Sequence, residues 1–495
     1  MNIKQAKEEI KNTLRAYLQK DENGTYIFPI VRQRPILLMG PPGIGKTAIM
    51  EQIAAECGVG LVAYTMTHHT RQSAIGLPHI ENITYDGEAV SVTRYTLSEI
   101  VASIYDCMER TGEKEGILFL DEINCVSETL APTMLQLLQN KTFGSHKLPQ
   151  GWVIVAAGNP REYNKSVREF DVVTLDRVRS IEIFADLDVW MEYAWNHGVH
   201  SAIASYLTIK KQNFYQVEAA TERTFFVTAR GWEDLSQILK SYEALDAAIT
   251  ADLVQQYLQK PEIARDFAAY YQLYRKYGTD YGIPDVLNGE MDSRKVEMAK
   301  GGSFEERFTV VHLVLDYLSN DFACYGAMDA NVTLLHEVVK IYKDVGGSLE
   351  RFIQNRKHSV TVKRKAQLLS AEESAREEWV LRKLESYDLT LREKHLLDFD
   401  AGFDMIRRLF QREVDERREL VGQIGKHLDQ ACRFLELAFE DGQEMVLFVS
   451  SLTQNSQAMD FISRHGSEGY LRHCHLLLYR LREKQLQQAC QQMDH

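Results

Sequence analysis

The sequence predicts an α/β fold built on a parallel sheet with a phosphate-binding loop, followed by a smaller helical domain and then an α-helical C-terminal domain. Three observations carry this prediction. Short apolar runs at 35–39, 60–64, 116–120 and 152–157 alternate with helical stretches, the spacing expected of βαβ units around a buried parallel sheet. A glycine-rich loop stands directly between the first run and a helix-compatible stretch. All ten prolines lie at or before Pro284, so nothing beyond that point breaks a helix by lacking its N–H.

The chain has 495 residues, long enough for several domains at roughly 100–200 residues each. Its 57 Lys+Arg against 70 Asp+Glu leave a formal charge of -13, which argues against extended nucleic-acid binding, since that needs a basic face. No run approaches the roughly 18 apolar residues of a membrane span, and the opening Met1-Asn-Ile-Lys does not read as a signal peptide. A cytoplasmic protein is expected. Seven cysteines (Cys57, Cys107, Cys125, Cys324, Cys432, Cys474, Cys490) stand singly and read as reduced thiols. His473-Cys474-His475 clusters metal-capable side chains, but adjacent residues on a helix point apart and do not readily close around one ion.

Taken in order, 1–184 is expected to hold the α/β core. From about Phe184 the short strands are expected to stop, and helical periodicity takes over through Trp190, Tyr193 and Ala194 and then Leu235, Ile238, Leu239 and Tyr242, giving a helical domain over 185–284. The turn-rich stretch 277–284 and Gly301-Gly302 mark a boundary. Beyond it, 285–495 reads as charged helices. Leu381, Leu384, Leu391, Leu396 and Leu397 fall at roughly helical spacing among dense mixed charge, which long antiparallel helices and a short coiled coil both explain.

The loop reads Gly40-Pro41-Pro42-Gly43-Ile44-Gly45-Lys46-Thr47 and leads into Ala48. Glycines let the backbone wrap phosphates, N–H groups and the helix N-terminus face the anion, Lys46 reaches the β/γ oxygens, and Thr47 ligates Mg²⁺. The run at 117–120 delivers Asp121-Glu122 to the carboxyl end of its strand, where open α/β sheets bind their ligands. There Asp121 can hold the Mg²⁺ shell while Glu122 orients and deprotonates an attacking water. The last run ends in Gly158-Asn159-Pro160, which brings a neutral amide to the same crevice, able to bridge that water and a γ-phosphate. Alone, an Asn-Pro pair reads as a turn.

These elements resemble the AAA+ ATPases, and among them the MoxR family. The resemblance covers about 34–241 and rests on the loop 40–47, Phe119-Leu-Asp-Glu-Ile-Asn124, the helix 130–138 and Ala156-Ala-Gly-Asn-Pro160. By motif, Asn159 is similar to sensor 1, and Leu175-Asp176-Arg177 resembles the arginine-finger segment, with Val178 in place of the usual aromatic and Arg179 and Arg168 as competitors. Thr228-Ala229-Arg230 resembles the start of the sensor 2 helix in the family's helical lid, with Ala229 where proline is common. The resemblance implies ATP hydrolysis with Mg²⁺ and a hexameric ring whose sites are completed by a neighbour's arginine. It also implies chaperone-like action, with a von Willebrand factor A domain protein as the expected partner.

The resemblance further implies a β-hairpin inserted over about 78–97. The residues agree: Ile80, Ile83 and Tyr85 precede the turn signal Asp86-Gly87, and Val90, Val92 and Tyr95 follow it. A plain surface hairpin without a role is the competing reading. Three other functions share the loop. A nucleic-acid motor similar to the McrB-type GTPases would prefer GTP or respond to DNA, a small-molecule kinase has no natural place for Asn159 and the arginines, and a structural scaffold would dispense with Glu122. The region 285–495 shows no motif that carries chemistry and fits a partner-docking arm or a plain helical bundle.

Overall fold

The structure, a computed structural model, describes residues 1–477 except 69–73, 86–87, 144–145, 164–166, 169, 220–223, 366–368 and 397. The expected turn Asp86-Gly87, together with Leu397 and Cys490, lies outside the described residues. The chain divides into two compact units, one formed by 1–191 and 211–265, the other by 192–210 and 266–495.

The first unit begins with α1 (Ile3–Leu18), capped by Asn2 and Gln5 in a reciprocal box, whose Ala6, Ile10, Leu14 and Tyr17 are buried at helical spacing. There follow β1 (Ile36–Met39), α2 (Lys46–Cys57), β2 (Gly60–Thr65), β3 (Pro78–Tyr85), β4 (Glu88–Tyr95), α3 (Glu99–Thr111) and β5 (Gly116–Asp121). Next come α4 (Ala131–Asn140), β6 (Thr142–Phe143), β7 (His146–Lys147), β8 (Trp152–Gly158), α5 (Val172–Leu175) and β9 (Arg179–Glu182).

The main sheet has the order β2-β5-β8-β1-β9 and is parallel throughout. Alternate residues of each strand feed opposite faces. Ile36, Leu38, Phe119 and Val155 pack with α1 and α2, while Leu37, Leu118, Leu120 and Ile154 pack with α3 and α4. β3 and β4 pair antiparallel, Ile83 opposite Val90, and Ile80 is 76% exposed.

The chain continues through α6 (Leu187–Asn196), α7 (Ser201–Ile209), β10 (Gln216–Ala219), β11 (Thr224–Val227), α8 (Ala229–Ala244), α9 (Ala251–Tyr257) and α10 (Pro261–Tyr281). Two expectations are corrected here. Strands do not stop at Phe184, because β10 and β11 form an antiparallel ribbon in which Thr224-Phe-Phe-Val supplies β-branched and aromatic residues. The stretch 277–281 is not a turn. α10 runs through Gly278, which a helix tolerates at modest cost, and stops only before Gly282, whose φ is +51°.

The second unit takes in α7 and continues with α11 (Ile283–Leu287), α12 (Ser293–Gly301), α13 (Phe304–Val345), α14 (Leu349–Lys365), α15 (Ala371–Glu393), α16 (Phe399–Phe439), α17 (Gln443–Gln454), α18 (Ser456–His465) and α19 (Glu468–His473). Every residue of α7 from Ser201 to Leu207 is buried, and the helix packs on α13. Hydroxyls join the layers: Ser205 Oγ lies 2.6 Å from Tyr270 OH, which lies 2.9 Å from Thr309 Oγ1.

The charged region resolves into antiparallel helices. Along α14 and α15 the ion pairs Glu350–Arg392, Lys357–Glu385 and Arg364–Glu378 run in opposite directions. Along α13 and α16 the contacts Asp321–His427, Asp329–Arg417 and Tyr342–Phe403 do the same. Leu335, Tyr342, Ile353, Val380, Leu384 and Ile406 form the shared core.

Candidate functional site

β5, β8 and β1 are neighbours, so their carboxyl ends carry Asp121-Glu122, Asn159 and the glycine loop side by side. Gly43 (φ +72°) and Gly45 (φ +92°) occupy left-handed backbone that other residues rarely adopt, and Gly45 is the N-cap of α2. Lys46 therefore opens the helix at its positive end. Its Nζ donates to Gly40 O (2.8 Å), Pro41 O (2.8 Å) and Asn159 Oδ1 (2.9 Å). Burial pushes the lysine down to about 8, Asp121 and Glu122 oppose that shift, and Arg230 adds to it.

Thr47 Oγ1 donates to Asp121 Oδ2 at 2.8 Å. Two hard oxygens beside a phosphate loop fit Mg²⁺, which keeps waters and phosphate oxygens for its remaining positions. Ala48 lies in the first turn of α2 and Ile44 packs partly into the core beneath the loop.

Glu122 sits at φ +55°, ψ +37°, an uncommon conformation for a residue with a side chain. Its N–H donates to Asp121 Oδ1 (2.9 Å), and its Oε2 accepts from Thr67 Oγ1 (3.0 Å). Thr67 lies two residues beyond β2, the strand paired with β5. It carries no motif, and only its place just after an apolar run could have flagged it.

Asn159 is held from behind. Asn124 Nδ2 donates to Asn159 O (2.8 Å) and Asn124 Oδ1 accepts from Asn159 N (3.3 Å). A Cβ on Gly158 would stand 2.6 Å from Asn124 Oδ1, so this approach requires glycine. Asn124 belongs to the quoted motif, yet its clamp on Asn159 is visible only in three dimensions.

Arg230 reaches the same crevice. Thr228 caps α8 through Gly231 N (3.2 Å), and Arg230 N donates to Gly43 O (3.1 Å). Tyr215 OH donates to Pro42 O (2.9 Å). The structure thus gathers Gly40, Pro41, Pro42, Gly43, Lys46, Thr47, Asp121, Glu122, Asn159 and Arg230. Arg177 lies apart from this network, in the turn after α5, exposed and without an ion pair among the described residues. Its competitors are engaged: Arg168 pairs with Glu128 (2.7 Å), and Arg179 pairs with Glu9 and Thr13 on α1. Val178 is buried in the core beside the sheet.

Residues 35–178 match the family model described as AAA domain (dynein-related subfamily). Midasin from Giardia intestinalis is 26% identical over 171 residues, 33% of this chain, and the chain spans only 3% of that protein's length. Among solved structures, two mutants of RuvB from Thermotoga maritima are 16% and 14% identical, over 51% and 52% of this chain and 69% of theirs, each at a TM-score of 0.29. With its loop, acids and parallel sheet in one crevice, the segment 35–178 has an AAA+ P-loop fold and is similar to the AAA domains of that family model.

Proposed function

We propose that the protein is a MoxR-like, Mg²⁺-dependent ATP hydrolase that works in the cytoplasm as a ring, with a hexamer expected, and uses hydrolysis to remodel or assemble a partner protein. The observation that supports this reading best is the network in which Lys46 touches Asn159, Thr47 touches Asp121, and Glu122 stands next in the chain. A bound polyphosphate offers Lys46 stronger acceptors than loop carbonyls, so the lysine and Asn159 both turn toward the γ-phosphate. Mg²⁺, held by Thr47 and Asp121, would neutralise charge on the phosphate oxygens. Glu122, once free of Thr67, takes the proton of the attacking water. Asn159, steadied by Asn124, orients that water. Arg230 senses the γ-phosphate from α8, and Arg177 completes the site of the neighbouring subunit.

The region 285–495 is the proposed docking arm for the partner, for which a von Willebrand factor A domain protein is the first candidate. Among the described residues no helix is long and apolar enough to cross a membrane.

Lys46→Ala should abolish tight ATP binding, because it removes the buried charge that receives the phosphates. Glu122→Gln should keep ATP bound and lose about 10²–10⁴-fold in turnover, the range of general-base catalysis. Nucleotide titration and phosphate release measure both. Normal hydrolysis by the Glu122 variant would sink the assignment, and GTP preference or stimulation by DNA would favour a McrB-like motor.

A further inference from the structure

Four consecutive carbonyls of the glycine loop each accept a hydrogen bond, and the donors divide by residue type. Gly40 O and Pro41 O accept from Lys46 Nζ. Their peptide partners are the nitrogens of Pro41 and Pro42, which carry no hydrogen. Pro42 O and Gly43 O accept instead from Tyr215 OH and Arg230 N. Their peptide partners are the N–H groups of Gly43 and Ile44. In a planar trans peptide the N–H points opposite to the carbonyl. Pulling Pro42 O toward Tyr215 therefore turns the Gly43 N–H away from Tyr215, and the Arg230 bond does the same for Ile44.

We infer that Tyr215 is a positioning residue for polyphosphate binding, its hydroxyl holding the Pro42 carbonyl so that the Gly43 N–H faces the phosphates. This rests on the reading of 40–47 as the nucleotide site. The geometry is built to persist. Tyr215 is half-buried, and burial together with Tyr163 raises its phenol well above the usual range, so it remains a donor at every physiological pH. Gly43 is also packed closely: a Cβ there would lie 3.2 Å from the Thr228 side chain. The loop's shape is thus set by residues far along the chain as well as by its own glycines, and nucleotide affinity depends on Tyr215 and Arg230 being in place.

Tyr215→Phe keeps the ring and removes the donor. The dissociation constants for ADP and for inorganic tripolyphosphate should both rise by about five- to tenfold, the scale of one hydrogen bond, with KM for ATP rising in step. The kcat at saturation and the melting temperature of the nucleotide-free protein should change little. A lower melting temperature with both affinities intact would mean a merely structural role and overturn the inference. Weakened ADP with unchanged tripolyphosphate would place Tyr215 at the base instead and overturn it too. If the wild-type protein bound neither probe, the underlying reading would fail with it, whereas wild-type binding matched by the variant removes this inference alone. A test without substitution uses hydrogen exchange on the full chain: ADP should slow exchange in 40–48 and 211–218 together, and slowing confined to 40–48 would contradict the coupling.

Discussion

The crevice at the ends of β1, β5 and β8 and the antiparallel pack of α13 to α16 use polar residues in opposite ways. In the crevice, side chains are held by backbone and by one another at single-atom precision, and several positions admit one residue type: Gly45 for its left-handed φ, Gly158 for the approach of Asn124. In the helical pack, charges sit mostly at the rim as pairs such as Arg392–Glu350, both half-exposed, which contribute little individually. Stability there comes from apolar contacts among Val380, Leu384 and Ile406, which many residue combinations would satisfy. Chemistry that needs one geometry leaves a motif, and packing that needs volume and periodicity leaves only a pattern.

The sharpest way to break this comparison is Arg177. If the exposed arginine acts across a subunit boundary, Arg177→Ala should cut turnover by about 10³–10⁵-fold, the contribution of known fingers, and leave nucleotide affinity nearly intact. Mixing it with Lys46→Ala subunits should restore part of the phosphate release, since some boundaries then pair an intact arginine with an intact loop. Arg179→Ala should instead destabilise the fold by freeing Glu9 on α1. A silent Arg177→Ala would pass the role to Arg168 or Arg179.

Legibility in the sequence follows the same division. Four strands of the main sheet are apolar runs and can be read directly, while β9 escapes because Arg179-Ser-Ile-Glu holds one apolar residue at a sheet edge. The ribbon β10–β11 and the passage of α10 through Gly278 are settled by tertiary context, which overrides local turn signals. Nothing local announces that 192–210 belongs with the later helices, because α7 is buried on every side from Ser201 to Leu207 and its partner lies far along the chain. In the crevice the motif residues are legible, whereas Thr67 and Tyr215 are not, since each matters through one contact to a residue distant in sequence. In the helical unit, helix and burial are legible from spacing, but antiparallel pairing becomes visible only through the order of the ion pairs.

A smaller effect sharpens the helical side. Leu384 is fully buried in α15, so Leu384→Ala should cost about 2–5 kcal/mol, the range for a truncated core leucine. Denaturant unfolding of the full chain would show it as an earlier loss of helical signal. ADP affinity, set by the crevice, should not change. Loss of ADP binding under native conditions would show that the two regions are energetically coupled rather than contrasting.

The smallest expected effect is in pH, and it too separates the regions. Lys46 is held at about 8 by burial against an ordinary value of 10.5. Below about pH 7 the lysine is charged and ready for phosphate. Above pH 8 it is increasingly neutral and must take up a proton to bind, so ADP affinity should fall by up to about tenfold per pH unit until the pH passes the lysine's value in the complex. Stability has the opposite sign. Between about pH 8 and 10.5 the unfolded chain binds more protons at this residue than the folded one, so the penalty for burying the charge is full below pH 8 and is relieved as pH rises. The nucleotide-free protein should therefore gain stability relative to Lys46→Met across the window in which it loses ADP. Lys46→Arg, which stays charged, should flatten the affinity profile. In the helical unit, His312 is pushed down to about 3 by complete burial, so it stays neutral in the folded protein from pH 7 to 9, and its slope, set by the unfolded chain's ordinary value of 6.5, is small at pH 7 and fades above pH 8. ADP titrations and melting curves at pH 7, 8 and 9 decide the matter: an affinity that holds constant to pH 9 in the wild-type protein would mean that burial does not lower Lys46 into this range.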